Sequence, residues 1–106
     1  MVNHPLPIEF ARAARRDLSE LWLKYAAISE ELADKISGRI ELKIEELGRH
    51  PQMGRSRPEF PIASLRSVAV NPHLIFYAVS PRPAIRIHRV VDGRRNLAAV
   101  FSSDES

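Results

Sequence analysis

The side chains with the most chemical potential in this 106-residue sequence are its arginines, and they are unevenly placed. Residues 49–101 carry nine arginines, no lysine and two acids, Glu59 and Asp92. Residues 1–48 carry seven bases, among them Lys24, Lys35 and Lys43, against nine acids. A guanidinium is a planar fork of donors suited to carboxylates and phosphates. A basic half therefore implies an anionic partner, either nucleic acid or an acidic protein surface, with simple solvation as the competing explanation. The arginines of interest are Arg55 and Arg57 in "HPQMGRSRPEF" (50–60), Arg66, Arg86, Arg89, and the pair Arg94 and Arg95. His88 sits close to Arg86 and Arg89, the best-placed histidine for moving a proton beside a bound anion, although a lone strand histidine is ordinarily a polar surface group. The other histidines, His4, His50 and His73, are scattered and no cysteine accompanies them, so no metal site is expected. Four glycines, at 38, 48, 54 and 93, spell no phosphate-cradling loop, no Gly-x-Ser-x-Gly elbow occurs, and no cofactor is implied.

Length predicts one domain spanning 1–106, large enough for a core without staples. A hydrophobic fraction of 44% and a charged fraction of 27% fit a globular chain. The lack of cysteine fits a reducing cytoplasm. The first ten residues do not read as a signal peptide, and no apolar run approaches the ~18 residues of a membrane span.

The elements that must position the arginines follow from apolar spacing. "LPIEFA" (6–11) starts beside prolines and predicts a short edge strand. From Ala13, steps of three and four place Ala14, Leu18, Leu21, Trp22, Tyr25 and Ile28 on one helical face, with Trp22 and Leu18 expected inward. Ser29 is a cap for a second helix, with Glu30 and Glu31 in its first turn and Leu32, Ala33, Ile36, Ile40, Ile44 and Leu47 as its stripe. Gly48 suits a left-handed helix end, and Pro51 cannot continue a helix. The short link between the helices predicts an antiparallel hairpin. Period-two runs at 64–70, 74–80 and 84–91, separated by "NPH" and "PRP", predict an antiparallel meander. Strict alternation puts Ile85, Ile87, Arg89 and Val91 on one face of the last strand and Ala84, Arg86, His88 and Val90 on the other. Arg66 shares a face with Val68 and Val70. The fold class is thus α+β: an N-terminal strand, then an antiparallel helical hairpin packed on one face of a mainly antiparallel sheet. The hairpin covers one face only, so the other face and the sheet's end are expected to display arginines. Residues 102–106 read as a loose tail.

This order resembles the RelE/ParE toxins of bacterial type II toxin–antitoxin pairs. The resemblance rests on "ARRDLSELWLKYA", "IEELGRHPQMGRSRPEF", "LRSVAVNPHLIFYAV" and "IRIHRVVDGRRNLAAVF", and is most specific in the Pro-x-Met-Gly-Arg loop, which is similar to the ParE branch. It implies the RelE/ParE-like fold and one of two activities. RelE-type members cut mRNA in the ribosome, whereas ParE-type members poison DNA gyrase.

Where the nucleases use a C-terminal tyrosine this sequence has Phe101, and the loop holds none of their lysines. Arg66 and Arg95 match arginines the nucleases use. The resemblance therefore implies a gyrase poison neutralised by a ParD-type antitoxin in a hetero-oligomer, with target contact by Arg66, Arg89, Arg94 and Arg95, and secondarily Arg55 and Arg57. It also implies an antitoxin segment that orders over Arg66, Arg86 and Arg89 and over apolar surface of the hairpin. Two other readings remain: a ribosome-dependent mRNA endoribonuclease using Arg66, His88 and Arg95, and a detoxified module that only binds its antitoxin. Asp92-Gly93 stands where ParE-like proteins often have His-Gly.

Overall fold

The computed structural model describes residues 4–102. The chain forms β1 (Ile8–Phe10), α1 (Arg12–Ala26), α2 (Glu30–Arg49), β2 (Arg55–Ser56), β3 (Arg66–Val70), β4 (His73–Ser80), β5 (Ala84–Asp92) and α3 (Leu97–Ser102). One five-stranded sheet has the order β1-β5-β4-β3-β2, antiparallel except for the parallel β1–β5 pair. The α+β class, the edge position of the first strand and the 3–4–5 meander are as the periodicity requires. Two pieces have no counterpart in the sequence reading: the two-residue edge strand β2 and the short helix α3.

The helical hairpin forms for local reasons. The Ser29 hydroxyl accepts from the Leu32 N–H at 3.2 Å, and Glu30 and Glu31 lie in the first turn of α2, where the helix dipole favours them. The apolar stripes of α1 and α2 then meet the sheet in one core built from Ala14, Leu21, Ile40, Ile44, Leu47, Ile75, Tyr77, Ile85, Ile87 and Val90. Gly48 differs from its expected role. It lies inside α2, no glycine has a positive φ, and a Cβ there would stand 2.9 Å from the Leu6 carbonyl. The glycine lets the N-terminal segment close on α2, where the Leu6 N–H donates to the Gly48 carbonyl at 2.9 Å.

Trp22 and Ile28 also depart from expectation. Trp22 is only half-buried at the seam of the hairpin, where its indole N–H donates to Asp34 at 3.0 Å. Ile28 is 73% exposed. Leu18 and Tyr25 pack against the core from its margin.

The far face of the sheet is not a bare display of arginines. Leu65, Phe76, Val91 and Val100 form a second core, flanked by Phe60, Ile62, Leu74, Leu97 and Phe101. The 57–65 loop and α3 cover that face, with the Phe101 ring 4.8 Å from Phe60 and 4.9 Å from Phe76.

A β-bulge explains why strict alternation fails in β5. Tyr77 pairs with Ile87 but Phe76 pairs with Arg89, so His88 is an extra residue. Ile85, Ile87 and Val90 consequently face the helices, while Val91 falls in the second core. The expected tail lies outside the described residues except for Ser102, which closes α3.

Candidate functional site

The arginines divide by what their donors already do. Arg89 is a structural residue. Strand β1 pairs β5 only through Ile87, which leaves the next stretch of β5 without a neighbour on that side. Asp17 of α1 fills the gap: its carboxylate accepts from the Val90 N–H at 2.9 Å and from Arg89 Nε and Nη2 at 2.7 and 2.9 Å. Their side chains are 5% and 12% exposed. Arg57 is likewise enclosed, with Nε donating to Ser67 at 2.8 Å, Nη1 donating to Glu59 at 3.1 Å, and the guanidinium over the Phe76 ring. The expectation that Arg57 and Arg89 stand on an open surface is corrected: the first is stacked in the second core and the second caps a sheet edge.

Arg66 turns toward the helical side, as its register with Tyr77 requires. It closes the Pro-x-Met-Gly-Arg loop by donating to the Gly54 carbonyl at 2.6 Å and, at 3.4 Å, to that of Gln52. The same loop is pinned by the buried Tyr77 hydroxyl, which donates to the Pro51 carbonyl and accepts from the Gly54 N–H, both at 2.8 Å. Burial pushes the Tyr77 phenol above its usual range. Gly54 is required here because a Cβ would sit 2.7 Å from the Ser67 carbonyl and 2.8 Å from Tyr77. Tyr77 is the residue the sequence reading missed; its spacing marked it as a strand residue and nothing local tied it to a loop more than twenty positions earlier. The clasp holds Met53 and Arg55 outward.

The remaining cations are on the surface. Arg86 lies 3.9 Å from Glu9, which also pairs with Arg82. Arg94 is 76% exposed yet folded back on Asp92, with Nε at 2.9 Å and Nη2 at 2.6 Å. Those bonds hold the Asp92 carboxyl well below the usual carboxylate range and raise the Arg94 pKa. The acid at this position thus tethers one arginine of the pair. Arg95 is exposed, and neither it nor Arg55 makes a side-chain hydrogen bond or ion pair among the described residues.

Arg66 and Arg95 stand at different levels of the sheet. Arg66 pairs with Tyr77 near one end of the β3–β4 ladder, whereas Arg95 follows the other end, where His73 pairs with Asp92. Four residues of strand separate the two levels, about 13 Å. His88 is half-buried in the bulge, and burial followed by the charge of Arg86 lowers its pKa. Among the described residues no group of three or more His, Asp or Glu could hold a metal ion. Among the same residues no helix is long and apolar enough to cross a membrane.

A second surface lies on the hairpin. Leu23, Ile28 and Leu42 are 63%, 73% and 64% exposed. Between the helices is a groove lined by Leu18, Ser19, Trp22, Asp34, Gly38 and Glu41, and a Cβ on Gly38 would meet nothing within 4 Å.

A family model described as the ParE toxin of type II toxin–antitoxin system, parDE, matches residues 8–97. No curated protein sequence matches the chain. Among solved structures, a chain of the chromosomal ParDE system from P. aeruginosa superposes with a TM-score of 0.70 at 22% identity, covering 85% of this chain and 98% of that one. A chain of the RelBE2 toxin–antitoxin complex from Mycobacterium tuberculosis superposes with a TM-score of 0.57, also at 22% identity, covering 86% and 94%. At these identities the structural likeness is one of fold.

Proposed function

The chain belongs to the ParE toxin family of type II toxin–antitoxin systems, and from that premise we propose that it poisons DNA gyrase and is neutralised by a ParD-type antitoxin. The observation that carries the choice of target is the separation of Arg66 from Arg95 along the sheet. General acid–base cleavage of a phosphodiester needs charge holders and a proton-moving group around one phosphate. Here Arg66 is turned to the loop carbonyls, the position of the nucleases' tyrosine is filled by Phe101 in an aromatic cluster, and Arg95 stands at the other end of the ladder.

Contact with the target falls to Arg94, Arg95 and, from the clasped loop, Arg55. Arg57, Arg66 and Arg89 serve by holding the surfaces that present them. The antitoxin segment lies over the exposed apolar residues of the hairpin and reaches Arg86, so that charge speeds its arrival and apolar burial holds it.

The test is induced expression with two separate readouts. Gyrase poisoning produces a DNA-damage response and filamentation with mRNA intact. Rapid cleavage of mRNA at ribosomal A sites without DNA damage reverses the assignment in favour of the RelE-type reading. Silence in both readouts supports the detoxified module.

A further inference from the structure

Strand β3 is only partly covered on its outer side. There β2 pairs with Arg66 and Ser67 alone, so residues 68–70 have no neighbouring strand. We propose, resting on the antitoxin reading of this chain, that an extended acidic segment of the antitoxin adds as a strand at this edge, over the groove between β3 and α2.

The direction of the free backbone groups follows from one bond. The Arg57 N–H donates to the Leu65 carbonyl at 2.8 Å, so Leu65 turns that carbonyl toward the β2 side. Backbone groups alternate sides along a strand, which turns Ser67 and Ala69 the same way and gives Arg66, Val68 and Val70 to β4. Ser67 faces Arg55. Before Arg55 the chain leaves that line, because the Gly54 N–H and carbonyl are drawn in by the Tyr77 hydroxyl and by Arg66. The Ala69 N–H and carbonyl therefore point to solvent, and the residue is exposed. Among the described residues no backbone group from outside the β3–β4 ladder bonds to Ala69. Sheet edges that stay unpaired are ordinarily guarded by a lysine, a proline or a bulge. Residues 67–70 hold neither lysine nor proline, and they pair with β4 in unbroken register.

The groove beside this edge sets the chemistry of the partner. Its volume is about 410 Å³, and it is lined by Arg39, Leu42, Lys43 and Glu46 of α2 and by the end of β3. Leu42 is 64% exposed. Lys43 and Glu46 pair with each other at 3.0 Å. Arg39 is exposed and makes no side-chain hydrogen bond or ion pair among the described residues. What remains is one uncompensated cation beside an apolar side chain. A strand laid on the Ala69 edge turns every second side chain toward α2, so an apolar residue and an acid at alternate positions meet Leu42 and Arg39. The paired N–H and carbonyl of Ala69 match a peptide backbone, which selects a protein segment over a nucleic acid.

The experiment follows amide exchange of the full chain by NMR, alone and saturated with purified ParD-type antitoxin. The Ala69 amide is expected to exchange freely in the isolated chain and at least about tenfold more slowly in the complex. Ala69→Pro removes the outward N–H without removing a bond to β4, at an edge position where proline is tolerated. It is expected to keep the thermal midpoint and to weaken antitoxin binding about fivefold or more, and Arg39→Glu by a similar factor. The wild-type exchange measurement is decisive even where the proline variant fails to fold. Antitoxin binding that leaves Ala69 exchange unchanged overturns the strand and spares the antitoxin reading, as does full affinity in both folded variants. Absence of any antitoxin binding overturns both. Protection of Ala69 in the isolated chain that rises with its concentration assigns the edge to a second copy and overturns the antitoxin strand.

Discussion

Asp17→Ala is the sharpest perturbation of this fold. It removes three acceptor contacts at once: the paired bonds from Arg89 at 2.7 and 2.9 Å and the Val90 N–H bond at 2.9 Å that substitutes for a missing strand. It also takes the Asp17 carboxylate away from a guanidinium whose side chain is only 12% exposed. Removing one partner of a buried pair costs about 3–5 kcal/mol, far more than the pair contributes against an apolar replacement. A domain of this size has a stability of about 5–15 kcal/mol, so the variant should fold with a much reduced margin. The assay is urea denaturation of wild type, Asp17→Ala, Arg89→Ala and the double variant, analysed as a cycle. The double variant should lose clearly less than the sum of the singles, with a coupling of about 1.5 kcal/mol or more, because the two side chains share one set of bonds. A loss below about 1 kcal/mol for Asp17→Ala, with additive singles, would refute the reasoning. Solvent would then screen the pair, and Arg89 would be available to a partner.

Further outcomes follow from the loop, the hairpin and the histidines. Tyr77→Phe strands the Gly54 N–H and the Pro51 carbonyl, so it should cost about 1–3 kcal/mol and speed amide exchange across residues 51–55. Gly54→Ala drives a methyl against the Ser67 carbonyl, a backbone atom that cannot yield cheaply, and should cost about 1–3 kcal/mol by chemical denaturation. Trp22→Ala should cost less than the ~3 kcal/mol that marks a core tryptophan, since Trp22 is half-buried at the seam. His73 and His88 both have pKa values depressed below 6.5 in the folded state. The unfolded chain therefore binds protons first, and stability should be flat above pH 6.5 and fall as pH drops below it, until the depressed folded values are passed. Denaturation midpoints at pH 7.5 and pH 5 check this, and replacing both histidines should flatten the difference. Arg94→Ala combined with Arg95→Ala should abolish toxicity in growth assays while antitoxin binding stays within about tenfold, ~1.4 kcal/mol.

The helices were legible because their signals are local: a serine cap with two acids behind it, and apolar steps of three and four that end at the proline. The meander was legible from period-two runs and proline turns. What the sequence hid depends on partners far along the chain. Arg57 and Arg89 look like any surface arginine until Ser67 and Asp17 arrive, the second 72 residues away. The bulge at His88 adds one residue without any compositional mark, and it moved Arg89 and Val91 off the face that strict alternation assigns. Gly48 shows that one residue type answers two needs, a left-handed turn or a close approach, which only the neighbouring Leu6 carbonyl distinguishes. The second core drew on a loop and a six-residue helix too short to show a period. Arg55, Arg94 and Arg95, exposed as the basic half requires, were the part of the candidate site that composition could reach.

The central claim is that a ParE-family chain, with Arg57, Arg66 and Arg89 engaged in its own fold, uses exposed arginines of the basic half to engage gyrase. The direct measurement is purified protein incubated with purified DNA gyrase and supercoiled plasmid, with cleaved DNA counted after denaturation of the enzyme. The account predicts cleaved complexes that accumulate with toxin dose, are suppressed by a ParD-type antitoxin, and are absent with the Arg94→Ala, Arg95→Ala chain. Gyrase turnover and cleavage unchanged at saturating toxin, alongside mRNA cut in a translating extract, would contradict it.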